Sequence, residues 1–272
     1  MKIKSLHLKI VAGLIIILFL TSCNKDNSLP TLRIVQLCDP QLGFGGFDND
    51  VENLEKAVML INNLAPDIVL VAGDMVDSYR EEESISKFLE IIAKVNAPVM
   101  LTPGNHDMPS YPVSTAGLQL YRSNFGEDFN VTETKGRCII SANSILWWYE
   151  EPIEEQNRHN TQLSNALQTA KNKTQPVIIL THVPPFVSSV EEKDASTNIP
   201  ITKRKELLNL FEENGVILWL SGHTHTTFRN TYGSITLLNG ETTSNNFDNR
   251  PFGFRLLTIF SDNTFEWEFV AL

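Results

Sequence analysis

Five short clusters along this 272-residue chain bring together residue types that bind metals and move protons. They are Cys38-Asp39-Pro40-Gln41, Gly73-Asp74-Met75-Val76-Asp77, Gly104-Asn105-His106-Asp107, Thr181-His182-Val183-Pro184-Pro185 and Ser221-Gly222-His223-Thr224-His225. Carboxylate and imidazole are ligands for first-row divalent metals, and Asn adds a neutral oxygen. Imidazole also serves as a general acid or base near neutral pH. Glycines beside Asp74, Asn105 and His223 permit tight turns and close backbone approach. A Gly-Asp step alone is usually only a turn. Gly-Asn-His-Asp and Gly-His-Thr-His are rarer, and all five clusters in order carry the signal. Asp77 reads as a turn or surface acid and is left out of this set.

The elements that must position these clusters are legible as apolar runs. Leu32–Leu37, Asp67–Ala72, Pro98–Leu101, Val177–Thr181 and Val216–Leu220 each read as a buried strand, and each precedes one cluster. Helical spacing fills the gaps: Val51, Leu54, Val58, Ile61 and Leu64 within Asn49–Leu64, then Ile85, Phe88, Leu89 and Ile92 within Ser84–Val95. Asn49 with Glu52 reads as a capping pair. Two β-α-β units in succession predict a parallel sheet with right-handed crossovers. Asp39, Asp74 and Asn105 lie 35 and 31 residues apart, one such unit each, so adjacent strand ends would bring them together. Further on, Arg137–Trp147 reads as strand, Glu154–Lys171 and Thr202–Asn214 as helices, and Phe228–Phe269 as a meander of short strands. The reading is one α/β domain over residues 32–272, with a second, partly antiparallel sheet.

These motifs resemble the calcineurin-like metallophosphoesterase superfamily, whose pattern is D-x-H, GD, GNH[DE], a single His after a strand, and GHxH. The resemblance covers about residues 32–272. It implies a four-layer α-β-β-α sandwich of two mixed sheets flanked by helices, and a dinuclear centre of divalent metals (Mn²⁺, Fe²⁺/³⁺, Zn²⁺ or Mg²⁺). By the same resemblance Asp39, Asp74 and His225 hold one metal, and Asp74 bridges to a second held by Asn105, His182 and His223. His106 is then the general acid, oriented by Asp107. One position departs: Gln41 stands where the family has His. A neutral amide oxygen is a weaker ligand than imidazole, which tilts the first site toward a harder ion, with Mn²⁺ favoured. The Asp-Pro-Gln form is similar to one branch, that of calcineurin-like phosphoesterase domain-containing protein 1, described as serine/threonine protein phosphatases. His182-Val-Pro-Pro-Phe186 and Asn249-Arg-Pro-Phe-Gly-Phe-Arg255 add to that likeness.

The chemistry expected is hydrolysis of phosphate monoesters, on a small molecule or a phosphoprotein. Two cations ~3.5–4 Å apart would clamp the phosphoryl oxygens and make hydroxide available at neutral pH. A proton from His106 to the leaving alkoxide is worth roughly 10²–10⁴-fold. Asn105, Arg250 and Arg255 are candidates for substrate binding, and Trp147, Trp148 and Tyr149 either line the cleft mouth or pack inside. Substrate choice falls to the loops Gly43–Asp48, Met108–Gly117 and Ser188–Pro200. One alternative is a phosphodiesterase acting on a cyclic nucleotide or another small diester. Another, of a different class, is a lipid-anchored binding protein with a degenerate metal site.

Composition fits this reading. The chain is 42% apolar and 20% charged, ordinary for a globular domain, with a formal net charge of −10. No basic stripe for nucleic acid is present, so positive charge at an anionic substrate must come from elsewhere, and metals can supply it. Lys2, Lys4 and Lys9 precede the apolar run Ile10–Leu20, which ends in Leu20-Thr21-Ser22-Cys23. This resembles a bacterial lipoprotein signal peptide over residues 1–22, with Cys23 as the lipidated residue and 23–31 as a lipidated Cys and polar tether. It predicts a membrane-anchored lipoprotein of the bacterial cell envelope. Removal of residues 1–22 takes away three Lys and no acid, leaving a charge of about −13. Cys38 and Cys138 share no spacing motif and sit in apolar runs, so both are expected as buried free thiols.

Overall fold

The computed structural model describes residue 29 and residues 31–111, 113–149 and 151–272. The expected leader and Cys23 lie outside the described residues. The chain runs β1 (Leu32–Leu37), α1 (Phe47–Leu64), β2 (Ile68–Val71), α2 (Glu82–Ile92), β3 (Val99–Leu101), α3 (Thr115–Phe125), β4 (Asn130–Thr134) and β5 (Arg137–Ser141). It continues through α4 (Ile145–Tyr149), α5 (Ile153–Asn172), β6 (Val177–Leu180), α6 (Ile201–Glu213) and β7 (Val216–Ser221). Four strands follow: β8 (Phe228–Tyr232), β9 (Ile235–Asn239), β10 (Gly253–Ile259) and β11 (Phe265–Ala271).

Two mixed sheets result, in the orders β11-β10-β1-β2-β3 and β4-β5-β6-β7-β9-β8. The pairs β1–β2, β2–β3, β5–β6, β6–β7 and β7–β9 are parallel, and antiparallel strands close the rest. The central strands are buried on both faces, which is why they read as unbroken apolar runs. Along β1, Leu32 and Ile34 meet Ile139, Ile178 and Leu218 of the facing sheet, whereas Val35 and Leu37 belong with Leu54, Val58 and Ile61 of α1. Gln36 is buried between the sheets and donates Nε2 to the Ser221 carbonyl at 2.9 Å, tying the two together. Such an inter-sheet core makes a rigid base, since each fully buried Leu or Ile contributes about 1.5–3 kcal/mol. Cys38 and Cys138 are buried free thiols, as expected.

Three local expectations are corrected. Asn49 and Glu52 do not cap α1, whose preceding residue is Gly46. The loop before it is held instead by buried Asp50, which accepts from the amides of Gly43 (3.0 Å) and Gly45 (2.9 Å). The run Arg137–Trp147 breaks after Ser141, because the Asn143 Oδ1 accepts from Ile145 N at 3.1 Å and opens α4. Trp147 thereby enters the core, its ring 6.4 Å from those of Phe211 and Trp219. The tail is not one meander: β8 and β9 join the six-stranded sheet, while β10 and β11 join the five-stranded one. Beyond these, α3 and β4 occupy the stretch between Leu101 and Arg137 to which no element is assigned from sequence, α3 starting where the Ser114 side chain accepts from Gly117 N.

Candidate metal centre

Every cluster lies just past the carboxyl end of a parallel strand. β1 leads to Asp39 and Gln41, β2 to Asp74, β3 to Asn105 and His106, β6 to His182, and β7 to His223 and His225. The two sheets therefore deliver their ligands to the same edge of the sandwich. The approach is close enough to need glycine: a Cβ on Gly104 would lie 2.0 Å from the Asp74 Oδ1, and one on Gly222 2.6 Å from the Asp39 Oδ2. Asp39, Gln41, Asp74, His223 and His225 all have positive φ, and they are half of the non-glycine residues in that region among those described. Such backbone costs energy and clusters where function demands it.

Two groups of ligand atoms form, each with all members within 4.8 Å of one another: Asp74, His182 and His223, and Asp39, Asp74 and His225. Asp74 is common to both. The imidazoles are oriented by backbone carbonyls, which can only accept. His182 Nδ1 lies 2.7 Å from the Ala72 oxygen, His223 Nε2 lies 2.6 Å from the Ser196 oxygen, and His225 Nδ1 bonds the Asn245 oxygen. Each of those nitrogens therefore carries the proton, and the other ring nitrogen of each faces the centre. His182 Nε2 then lies 3.0 Å from the Asn105 Oδ1, 3.0 Å from the His223 Nδ1 and 3.2 Å from the Asp74 Oδ2. Four electron-pair donors aimed at one another at such distances fit a shared cation between them.

The electrostatics make the same demand. Asp39, Asp74 and Asp107 are all buried; neighbouring imidazoles favour their charged forms, while the charge of Asp74 disfavours those of Asp39 and Asp107. Burial raises the Asp39 carboxyl, against the pull of His225 and His182. Burial works on Asp74 too, but His182 and His106 outweigh it and hold Asp74 below the usual carboxylate range. Burial opposes protonation of His182, yet Asp74 and Asp39 hold it up at about 9: their negative charge calls for a positive one at Nε2, which a metal ion would supply in place of a proton. For His223, burial and the adjacent His182 bring it down to about 4. Gln41 Oε1 is buried without a hydrogen-bond partner, while its Nε2 donates to the Asp77 Oδ1 at 3.2 Å. An orphaned amide oxygen is costly, and a cation would satisfy it.

The structure also redistributes roles among the acids. Asp107 does not orient His106. Its oxygens accept from Met75 N (2.7 Å), Val76 N (3.3 Å) and Gly104 N (2.8 Å), bracing two of the ligand-bearing loops. Burial and the charge of Asp74 push this carboxyl up to about 7. The His106 imidazole is held by Asp77, whose carbonyl lies 2.7 Å from Nδ1 and whose carboxylate lies 3.5 Å away. Sequence reasoning passed over Asp77, although its Gly-Asp-x-x-Asp spacing was visible. It had no route to the carbonyls of Ala72, Ser196 and Asn245, which leave no side-chain signature. Arg255 is likewise corrected: it is buried, bonded to Gln36 (3.3 Å), Glu241 (3.0 Å) and the Asn239 carbonyl (3.0 Å), and faces the interior rather than a substrate. Arg250 is exposed and lies 3.1 Å from Asp248. Trp148, unlike Trp147, reaches the site, with its ring 5.1 Å from that of His223.

Comparison with known proteins bears on this arrangement. The calcineurin-like phosphoesterase family model matches residues 32–227. The serine/threonine-protein phosphatase CPPED1 of Rattus norvegicus is 26% identical over 231 residues, covering 75% of this chain and 72% of that protein. Its Homo sapiens counterpart is 26% identical over 248 residues, covering 81% and 78%. In fold, a dimetal phosphatase from Danio rerio superposes with a TM-score of 0.64 at 13% identity, over 89% of this chain and 99% of that one. The yellow lupin (Lupinus luteus) purple acid phosphatase PPD1 gives 0.64 at 17% identity, over 89% and 52%. The match to the family model spans both ligand groups up to His225, and the two-sheet architecture agrees with the solved phosphatases. The chain therefore belongs to the calcineurin-like phosphoesterase family and is a metallophosphoesterase, a hydrolase that works with divalent metals.

Proposed function

We propose that this chain hydrolyses phosphate monoesters at a dinuclear centre bridged by Asp74. The carrying observation is that Asp74 alone belongs to both ligand groups. One site takes Asp39, Asp74 and His225, with Gln41 Oε1 as a weak additional ligand. The other takes Asp74, Asn105, His182 and His223. A carboxylate set of this kind with an amide oxygen suits Mn²⁺. When bound, the metals neutralise phosphoryl oxygens and supply a water activated at neutral pH. Asp74 and Asp39 provide the negative charge that holds them. The backbone carbonyls keep the His182, His223 and His225 rings in the metal-binding tautomer. His106, with Nδ1 fixed by Asp77, carries a proton at Nε2 to the leaving oxygen. The CPPED1 relatives are named serine/threonine-protein phosphatases, which supports a phosphoserine or phosphothreonine protein, or a small phosphomonoester, as substrate.

The same reading places the domain, residues 32–272, behind a lipidated Cys23 and tether 23–31 on the cell envelope, with support from the basic, apolar and Leu-Thr-Ser-Cys pattern of residues 2–23. Among the described residues no helix is long and apolar enough to cross a membrane. The experiment is turnover of a monoester and a diester with added Mn²⁺, with metal content measured on the same preparation. Faster monoester hydrolysis that chelator abolishes is expected. Diester preference overturns the substrate class, and turnover indifferent to chelator overturns the metal centre. Fractionation of Cys23→Ser tests the anchor: recovery of a mature-length form with membranes removes it.

A further inference from the structure

Two loops far apart in sequence each present a phenylalanine to the same metal-site imidazole. The Phe44 ring lies edge-on to His225 at 5.3 Å, and the Phe247 ring stacks on it at 5.0 Å and 25°. The two rings are 6.3 Å from each other. They are not core residues: Phe44 is 36% exposed and Phe247 61%. Exposed rings at a polar site cost solvation unless something covers them.

Their placement is built. Asp50 is only 1% exposed. One of its oxygens accepts from Gly43 N and Gly45 N, and the other accepts from the Ser244 hydroxyl at 2.8 Å. Gly45 N also reaches the Ser244 Oγ at 3.2 Å. A buried carboxylate thus staples the Phe44 loop to the loop carrying Asn245 and Phe247, before any substrate arrives. On one side Phe44 lines a cleft of about 600 Å³, with Asn49, Asn53, Lys56, Asn245 and Phe252. On the other, the loop carrying Phe44 packs against the residue that holds His106: a Cβ on Gly43 would lie 3.3 Å from the Asp77 Cβ, and the Asp77 carbonyl lies 2.7 Å from His106 Nδ1. If His106 is the proton donor, the leaving alcohol of a phosphoester would lie toward this loop.

The charges on this rim are already paired. Lys56 lies 2.8 Å from Glu52, and Arg250 lies 3.1 Å from Asp248. A second anionic group on the substrate would have to compete with Glu52 and Asp248 for these cations, whereas a flat apolar group finds two rings. Resting on the monoesterase reading above, we propose that Phe44 and Phe247 select phosphomonoesters whose alcohol carries an aromatic or bulky apolar group close to the phosphate.

The test compares 2-phenylethyl phosphate with propyl phosphate on the Mn²⁺-loaded protein. Both leaving groups are primary alcohols of similar basicity, so the ratio of their kcat/KM values reports recognition and not leaving-group reactivity. Aromatic contacts of this kind are worth about tenfold. Wild type is expected to favour the phenylethyl ester by roughly that factor, and Phe44→Ala and Phe247→Ala to bring the ratio toward one. Phe247→Tyr should keep it. A wild-type ratio near one, or an unchanged ratio in both alanine variants, overturns the proposal while leaving the monoesterase reading intact. Hydrolysis of neither ester overturns both.

Discussion

The side chain of Gln41 is pinned at one end and open at the other: Nε2 donates to the Asp77 Oδ1 at 3.2 Å, and Oε1 is buried with no protein partner. The same Asp77 fixes His106 through its carbonyl. One acid therefore touches both the residue that departs from the family pattern and the candidate proton donor. The amide cannot rotate to satisfy its oxygen without losing the bond from its nitrogen. That leaves the oxygen free for the weak ligand role proposed above.

Gln41 variants should separate first-site affinity from the rest of the centre. Metal titration of apo protein is expected to show a labile first site in wild type, tighter Zn²⁺ binding in Gln41→His and weaker Mn²⁺ binding in Gln41→Ala. A shift of ~10–100-fold either way matches the effect of residues that tune a metal site. Equal first-site affinities across the three proteins would sink the ligand assignment.

His106 should matter in proportion to how much the leaving group needs a proton. His106→Asn is expected to lower kcat by roughly 10²–10⁴-fold on an alkyl phosphate. On an aryl phosphate with an acidic phenol the loss should be much smaller. Asp77→Asn keeps the carbonyl that holds Nδ1, so it should cost less than His106→Asn on the same alkyl ester. Equal losses of His106→Asn on both leaving groups would remove the acid role.

What the sequence revealed follows from range. β1 matches its expected bounds because a strand buried on both faces is continuously apolar. The ligands were legible because each sits two to four residues past such a strand. Asp50 was not: as residue 50 it reads as one more acid on a helix, yet its partners are two amides upstream and Ser244, 194 positions away. Asp107 was misread for a similar reason, since adjacency to His106 says nothing about where a carboxylate points. Arg255 sat in a family-like element, but only the pairing of β10 with β1 shows it turned inward to Gln36.

His159 gives a pH-dependent stability with a definite sign. It is buried in α5, and its Nε2 accepts from Asn143 N at 2.9 Å, so the folded state needs the neutral ring. Burial holds it down to about 4, despite nearby Asp128. In the unfolded chain the group titrates near 6.5. The folded pKa is depressed, so its contribution is intact above pH ~6.5 and is lost as pH falls from there toward about 4. The full loss is on the order of 3 kcal/mol. Urea unfolding at pH 7 and pH 4.5 should show a larger fall in stability for wild type than for His159→Gln, which can accept the same bond. Parallel pH profiles would contradict this account.

Asp74 and Asp39 should fail differently when neutralised. Asp74 is shared by both ligand groups, and its other oxygen accepts from His106 N at 2.9 Å, so it fixes the centre and the proton donor's backbone together. Asp39 belongs to one group only, and both of its oxygens accept from the His223 amide, at 3.0 and 3.1 Å. Asp74→Asn removes the charge two cations need and is expected to lower affinity at both sites, with activity down more than ~100-fold. Asp39→Asn should lose chiefly the first metal, and excess Mn²⁺ should restore part of its turnover. Metal content after dialysis, read beside activity on the same sample, distinguishes the two. Two metals per chain with full turnover in Asp74→Asn would refute the bridge, whereas loss of both metals in Asp39→Asn would show that the sites fill only together.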